Sequence, residues 1–189
     1  MEVTTLEAGY RASSAGGIRR LRLVEATPAL TVLDPARFPS PGLAYPGLAA
    51  NNVLIAAGAL VVDWRLLPGM AEFTHDDQYG ANGYQTDCLI SWEVPHSVAL
   101  LQWLAKHGAR RWVALVVDAN DQAYVIGDPA NGARLKVNGG TGRKRPDGGK
   151  HQFTLAVRLN HPLWLLDDFE LLTSYRPEFD LSFDTTFTS

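Results

Sequence analysis

Thr86-Asp87-Cys88-Leu89-Ile90-Ser91-Trp92-Glu93-Val94 alternates in the manner of a strand with one buried face. It opens the stretch that decides the fold, Thr86 to Asn160. Pro95 ends this strand, and Ser97 is placed to cap a short helix, Ser97 to His107, by accepting from first-turn amides. Within that helix Val98, Leu101, Leu104 and Ala105 recur at helical spacing and predict its buried stripe. Lys106 and His107 suit the negative end of the helix, and Gly108 predicts a left-handed stop. Trp112-Val113-Ala114-Leu115-Val116-Val117 is apolar at every position, which predicts a central strand buried on both faces. A turn at Asp118 to Asp121 leads into a return strand, Gln122 to Gly127. Turn chemistry follows from Asp128 to Gly132, then a short edge strand from Ala133 to Val137. A glycine-rich loop, Asn138 to Lys150, precedes the closing strand, Phe153 to Leu159. One strand, one short helix and a run of hairpins predict a mainly β (α+β) fold. The expected form is an antiparallel β-sandwich or barrel with one packed helix, plus extended arms and loops.

Outside this stretch, Met1 to Gly17 is small and polar and is read as a flexible N-terminal arm. Ile18 to Val24 follows as a strand, with Leu21 and Leu23 on one face and Arg20 and Arg22 on the other. Pro28, Pro35, Pro39, Pro41 and Pro46 punctuate the insertion 28–52, so no long helix or central strand is expected there. Two readings stay open for it, a surface excursion and an arm ordering on a neighbouring subunit. Val53 to Leu67 holds two strand pieces around Gly58, with Val62, Trp64 and Leu66 sharing a face. Asn82-Gly83 then joins Ala71–Gln78 to Gln85–Val94 as an antiparallel hairpin, because both residues tolerate positive φ. The tail 176–189, with Phe179, Leu181, Phe183 and Phe187, is too aromatic for a solvated end and is expected to dock.

The chain of 189 residues suits one well-buried domain. Its net charge of −3 argues against a protein whose main task is gripping nucleic-acid phosphates. The lone Cys88 excludes an internal disulfide and reads as a small buried hydrophobe. The most apolar window, Val53 to Leu67, is broken by Gly58, Asp63 and Arg65 and falls short of a membrane span of ~20 residues. The first residues lack the pattern of a secretory signal, so synthesis in the cytoplasm is expected.

Patches that invite chemistry are weak. Gly139-Gly140-Thr141-Gly142-Arg143-Lys144 is glycine-rich and basic, but Arg145-Pro146 stands where a phosphate loop needs Ser or Thr opening a helix. His75 and Asp77 share a strand face, with no second ligand cluster at metal spacing. Cys88 lies in mid-strand without an adjacent base, and no Gly-x-Ser-x-Gly elbow occurs. The expectation is a protein with no catalytic, cofactor or metal residues.

The order of elements resembles phage tail tube proteins. It runs from Gly16-Gly17-Ile18 and Phe73-Thr74-His75-Asp76 through the strand Gln85–Val94 and the helix to Arg110-Arg111-Trp112-Val113-Ala114-Leu115-Val116-Val117-Asp118. Tyr124-Val125-Ile126-Gly127, Asn131-Gly132, Thr141-Gly142, Asp147-Gly148-Gly149 and Phe153-Thr154-Leu155 continue it. The turn at Asp118–Asp121 lacks the glycine that the family pattern suggests, and the five-proline insertion has no counterpart. The resemblance implies a structural virion protein whose rings, usually hexameric, stack into a tube that conducts DNA from capsid to host. Its partners would be itself, other tail, neck and baseplate proteins, and genomic DNA passing without sequence-specific binding. It implies no membrane partner, and a location in the virion tail after synthesis in the host cytoplasm. Ring stacking is expected to involve Arg143, Lys144, Arg145 and Lys150 of the loop and Phe179, Phe183 and Phe187 of the tail. Another ring of the same tail, such as a terminator, neck or baseplate hub, is the alternative function; a small-ligand-binding β-barrel is the remote one.

Overall fold

The strand β8 (Arg111–Asp118) is where two hydrophobic cores meet. Trp112, Ala114 and Val116 enter one core, and Val113, Leu115 and Val117 enter the other. The uninterrupted apolar run therefore does bury both faces. The computed structural model describes residues 17–169 except 57, 67–68, 81–82 and 141–148.

Along one edge of β8 lies β1 (Ile18–Glu25), antiparallel over its whole length. The other edge is shared. β10 (Ala133–Gly140) pairs beside Arg111 and Trp112, whereas β9 (Ala123–Ile126) pairs from Ala114 to Val117. The sheet divides at this point. One branch carries β1 with β5 (Val61–Arg65) on one flank of β8, and β9, β12 (Trp164–Leu166) and β3 (Gly47–Leu48) on the other. The second branch continues from β10 through β11 (Lys150–Leu159) and β7 (Gly83–Pro95) to β6 (Ala71–Gly80). All strand pairs of these branches are antiparallel except β12 with β3, which is parallel. Those two strands are far apart in the chain, so no hairpin constrains their direction.

The first core lies between the branches. Leu21, Leu23 and Trp112 from one branch meet Ile90, Trp92, Phe153 and Leu155 from the other. Trp92 and Phe153 are register partners, and their rings stack 5.1 Å apart at 14°. The second core lies on the opposite face of β8, beneath a hairpin of β2 (Leu30–Val32) and β4 (Val53–Ile55). Leu30, Leu48 and Val53 are buried there against Leu115, Val125 and Trp164. The proline-rich segment thus covers a core of its own chain. Asp167 fastens it, accepting from Ala50 N at 2.7 Å.

Four expectations need correction. The helix α1 (Val98–His107) is capped by Ser97, whose Oγ accepts from Leu100 N at 3.1 Å, but its buried face is not Val98-Leu101-Ala105. Leu100 is buried and Trp103, Leu104 and His107 are half-buried, while Val98 is 69% and Leu101 43% exposed. Trp103 decides the rotation, since its ring reaches Trp64 at 6.1 Å and Trp112 at 5.7 Å. An aliphatic stripe read without that indole is turned by about one residue, roughly 100°. The second correction concerns Gly108. It is right-handed (φ −61, ψ −27) rather than left-handed, with its N–H on Leu104 O at 2.8 Å. The third concerns the segment 138–150, whose ends are ordered strand. Asn138, Gly139 and Gly140 pair with Gln152, His151 and Lys150, because backbone pairing needs no side chains. Ala133 and Arg134 are likewise not edge residues, since β8 lies beside them. Among the described residues no helix is long and apolar enough to cross a membrane.

Candidate functional site

The second branch presents a four-stranded antiparallel face to solvent. Its composition follows from strand alternation, which sends every second residue away from the core. On β7, Thr86, Cys88, Ile90 and Trp92 are buried, so Asp87, Leu89, Ser91 and Glu93 face outward. On β11 the outward residues are Lys150, Gln152, Thr154, Ala156 and Arg158, opposite buried His151, Phe153, Leu155 and Leu159. Register then sets the neighbours: Glu72, Thr74 and Asp76 of β6 stand beside Ser91, Leu89 and Asp87. On the far flank, Arg134 and Lys136 of β10 stand beside Ala156 and Thr154.

Charge on this face is sorted by strand. Glu72, Asp76, Asp87 and Glu93 lie on β6 and β7, whereas Arg134, Lys136, Lys150 and Arg158 lie on β10 and β11. Ion pairs close the boundary between the two halves. Arg158 donates to both carboxylate oxygens of Asp87, at 2.6 and 2.8 Å, and Lys150 donates to Glu93 at 2.7 Å. The Arg158 guanidinium holds the Asp87 carboxyl below its usual range. Two hollows lie on the same face, one lined by Asp87, Leu89, Ala156 and Arg158 and the other by Met70, Glu72, Ser91 and Gln152.

Both long edges of this sheet are open among the described residues. β6 pairs with β7 alone, and β10 has no strand on its second side beyond Arg134. Open edges expose unpaired N–H and C=O groups and invite another strand. The β6–β7 hairpin also projects: from Thr74 to Gly80 every residue is exposed, and Tyr79 meets Tyr84 edge-on near its tip at 4.8 Å.

A second cluster lies on the inner side of that hairpin. Register places His75 directly across from Cys88, and His75 Nε2 is 3.9 Å from Asp77 Oδ2. A thiol, an imidazole and a carboxylate in this order invite a nucleophile reading. The electrostatics oppose it. Burial, with the charges of Asp77 and Asp87, pushes the Cys88 thiol up to about 12, so it stays protonated at neutral pH. Desolvation raises Asp77, but hydrogen bonds from Tyr84 and Thr86 outweigh it and hold the carboxyl below its usual range. The fully buried Thr86 hydroxyl lies 2.8 Å from Asp77 Oδ1 and 3.2 Å from the His161 carbonyl. The cluster fastens the hairpin to the segment after β11.

Of the residues expected at subunit contacts, Lys150 is described, and its ammonium is engaged by Glu93 within the chain. Arg143, Lys144, Arg145, Phe179, Phe183 and Phe187 lie outside the described residues, as do the N-terminal arm through Gly16 and the tail 176–189. Among the described residues no three His, Cys, Asp or Glu side chains gather as metal ligands. The charge rows of β6 and β10 were not anticipated. Their signal was present in the alternations Glu72-x-Thr74-x-Asp76 and Arg134-x-Lys136, but strand order was needed to set them at opposite flanks.

Comparison with known proteins finds no matching family model, no matching curated protein and no matching solved structure.

Proposed function

We propose that the protein is a structural, non-enzymatic subunit that closes into rings through the sheet β10–β11–β7–β6, the rings stacking as a tail tube of the phage kind. One observation carries this reading. The two open edges of that sheet, β6 and β10, run in opposite directions, because three antiparallel steps separate them. A rotation about an axis roughly along the strands preserves strand direction. It therefore brings β6 of one copy beside β10 of the next in antiparallel order, and a heterologous contact of this kind closes into a ring.

Six copies would assemble roughly two dozen strands, more than the ~16–18 that already leave an aqueous channel in porins. The outward face carries four acidic and four basic side chains, Glu72, Asp76, Asp87, Glu93 and Arg134, Lys136, Lys150, Arg158. A wall so balanced would let phosphates slide without capture, as a DNA conduit requires. The projecting β6–β7 hairpin supplies a contact for the ring above or below. In this reading the partners are further copies, other tail, neck and baseplate proteins, and DNA in transit. The protein would be made in the host cytoplasm and end in the virion tail.

Negative-stain imaging with sedimentation velocity tests the proposal. Closed rings or stacked tubes are expected; a single monomeric species across the accessible concentration range would overturn it.

A further inference from the structure

We infer that the segment 1–16 is a guard strand for the free edge of β6, adding to it antiparallel and contesting it with the neighbouring copy; the contest, though not the pairing, rests on the ring reading above. That segment lies outside the described residues, but its point of entry is described. Gly17 stands against the first residue of β6, since a Cβ on it would meet the Ala71 carbonyl oxygen at 3.2 Å. Met70, one residue earlier, is turned the other way, its carbonyl accepting from Glu93 N of β7 at 2.9 Å. Backbone groups of an edge strand alternate in this manner between its partner and open space. The free row of β6 is therefore Ala71, Phe73, His75, Asp77 and Tyr79, each with an N–H and a C=O turned off the sheet.

Direction follows from the sheet. The antiparallel steps β1–β8, β8–β10, β10–β11, β11–β7 and β7–β6 are odd in number, so β1 and β6 run in opposite directions. Chain that continues β1 upstream of Gly17 therefore travels along β6 from Ala71 toward its tip, antiparallel to it. With Gly17 set beside Ala71, Ala15, Ser13 and Arg11 stand opposite Phe73, His75 and Asp77. Residues 8–16 suffice to cover Glu72 to Gly80. Arg11 falls opposite Asp77, the acid of the free row, and opposite charges directly across a strand pair are stabilising. Ala12 to Gly16 carry only small side chains, which suits the crowded start of the edge, where Ala71 is buried. While the guard strand lies on β6, a free copy presents no bare edge there to another chain. Ring closure then exchanges one antiparallel partner for another.

The experiment compares the full chain with a form lacking residues 1–15 and with the full-length variant Ser13→Pro/Ala15→Pro, in which two backbone donors facing β6 are removed. Circular dichroism checks that each folds, and the proline variant serves if the shortened chain does not. Hydrogen exchange of the Phe73, His75, Asp77 and Tyr79 amides is followed where the chain sediments as a monomer. It is expected to be at least about tenfold slower in the full chain than in either variant. Sedimentation velocity at higher concentration is expected to show the variants associating at least about tenfold more tightly, because nothing then has to leave the edge. Equal exchange in all three proteins overturns the guard strand, whatever their association. Protection that needs the segment but appears only in assembled rings places it on the neighbouring copy, and overturns pairing within one copy. Protection in the monomer with association unchanged or weakened in the variants overturns the contest. Protection in the monomer with no association by any of the three leaves the guard strand standing and overturns the ring.

Discussion

Asp87 and Arg158 meet as register partners across β7 and β11, the guanidinium donating to both carboxylate oxygens at 2.6 and 2.8 Å. The pair holds the Asp87 carboxyl below its ordinary value, so the charged form is favoured by folding. Its contribution is complete above the unfolded aspartate pKa of ~3.9 and is lost as the pH falls through the lower folded value. The pair is exposed and its effect is small. Arg158→Ala is expected to lower the denaturation midpoint slightly at pH 7, with the difference from wild type vanishing in acid; a difference that persists in acid would refute the assignment.

Cys88 is 4% exposed, and burial with the neighbouring aspartates pushes its thiol up to about 12. A thiol in unfolded chain titrates near ~8.5. The raised value favours the protonated form in the folded state, so this contribution is whole below ~8.5 and declines as the pH rises from there. Labelling with a disulfide reagent at pH 8 is expected to be slow in the native protein and prompt in denaturant. Prompt native labelling would refute the burial.

On the helix, Leu100 and Leu101 should separate cleanly. Leu100 is 7% exposed and faces the first core, whereas Leu101 is 43% exposed. Leu100→Ala is expected to cost about 2–4 kcal/mol, and Leu101→Ala or Leu101→Asp to stay within about 0.5 kcal/mol. Denaturant midpoints of the variants check this, and a reversal of the order would restore the stripe read from aliphatic spacing.

At Gly132 a side chain has no room. A Cβ there would collide with the Ala26 Cβ and press on the Arg111 Cβ at 3.1 Å. Gly132→Ala is therefore expected to cost about 1–3 kcal/mol by overpacking. Gly42, where a Cβ meets nothing within 4 Å, supplies the contrast, because there only the backbone angle (φ +82) opposes alanine. Paired thermal melts of the two variants distinguish crowding from torsional strain. Relief of the Gly132→Ala defect by Ala26→Gly would identify the crowding partner.

Much of this architecture could be read before any tertiary contact was known. The antiparallel pairing of Ala71–Gln78 with Gln85–Val94, the Ser97 cap and the doubly buried Trp112–Val117 run follow from local rules that act over a few residues, whereas Asn82 of the expected turn lies outside the described residues. The turn at Asp118–Asp121 shows the limit of reading residues by type. Where the resemblance suggested glycine, Asp121 takes the left-handed position (φ 62), and Asp118 Oδ1 accepts from Asn120 N and Gln122 N at 2.8 Å each. Aspartate tolerates that region, so the missing glycine costs the turn little. The helix face failed for a different reason: its rotation is set by indole packing between Trp64 and Trp112, residues 39 and 9 positions away from Trp103 in the numbering.

By itself the sequence determined where strands run, which of their faces are apolar, and where turns and caps fall. These depend on alternation, proline, glycine and short-range hydrogen bonds. Only the tertiary structure decided strand order, and strand order places Glu72 and Asp76 at one flank of a sheet and Arg134 and Lys136 at the other. It also folded the proline-rich segment onto the second core of its own chain. The physical reason is the same in both cases. Which strands become neighbours is settled by burying faces that are remote in sequence, and alternation within one strand carries no record of that choice.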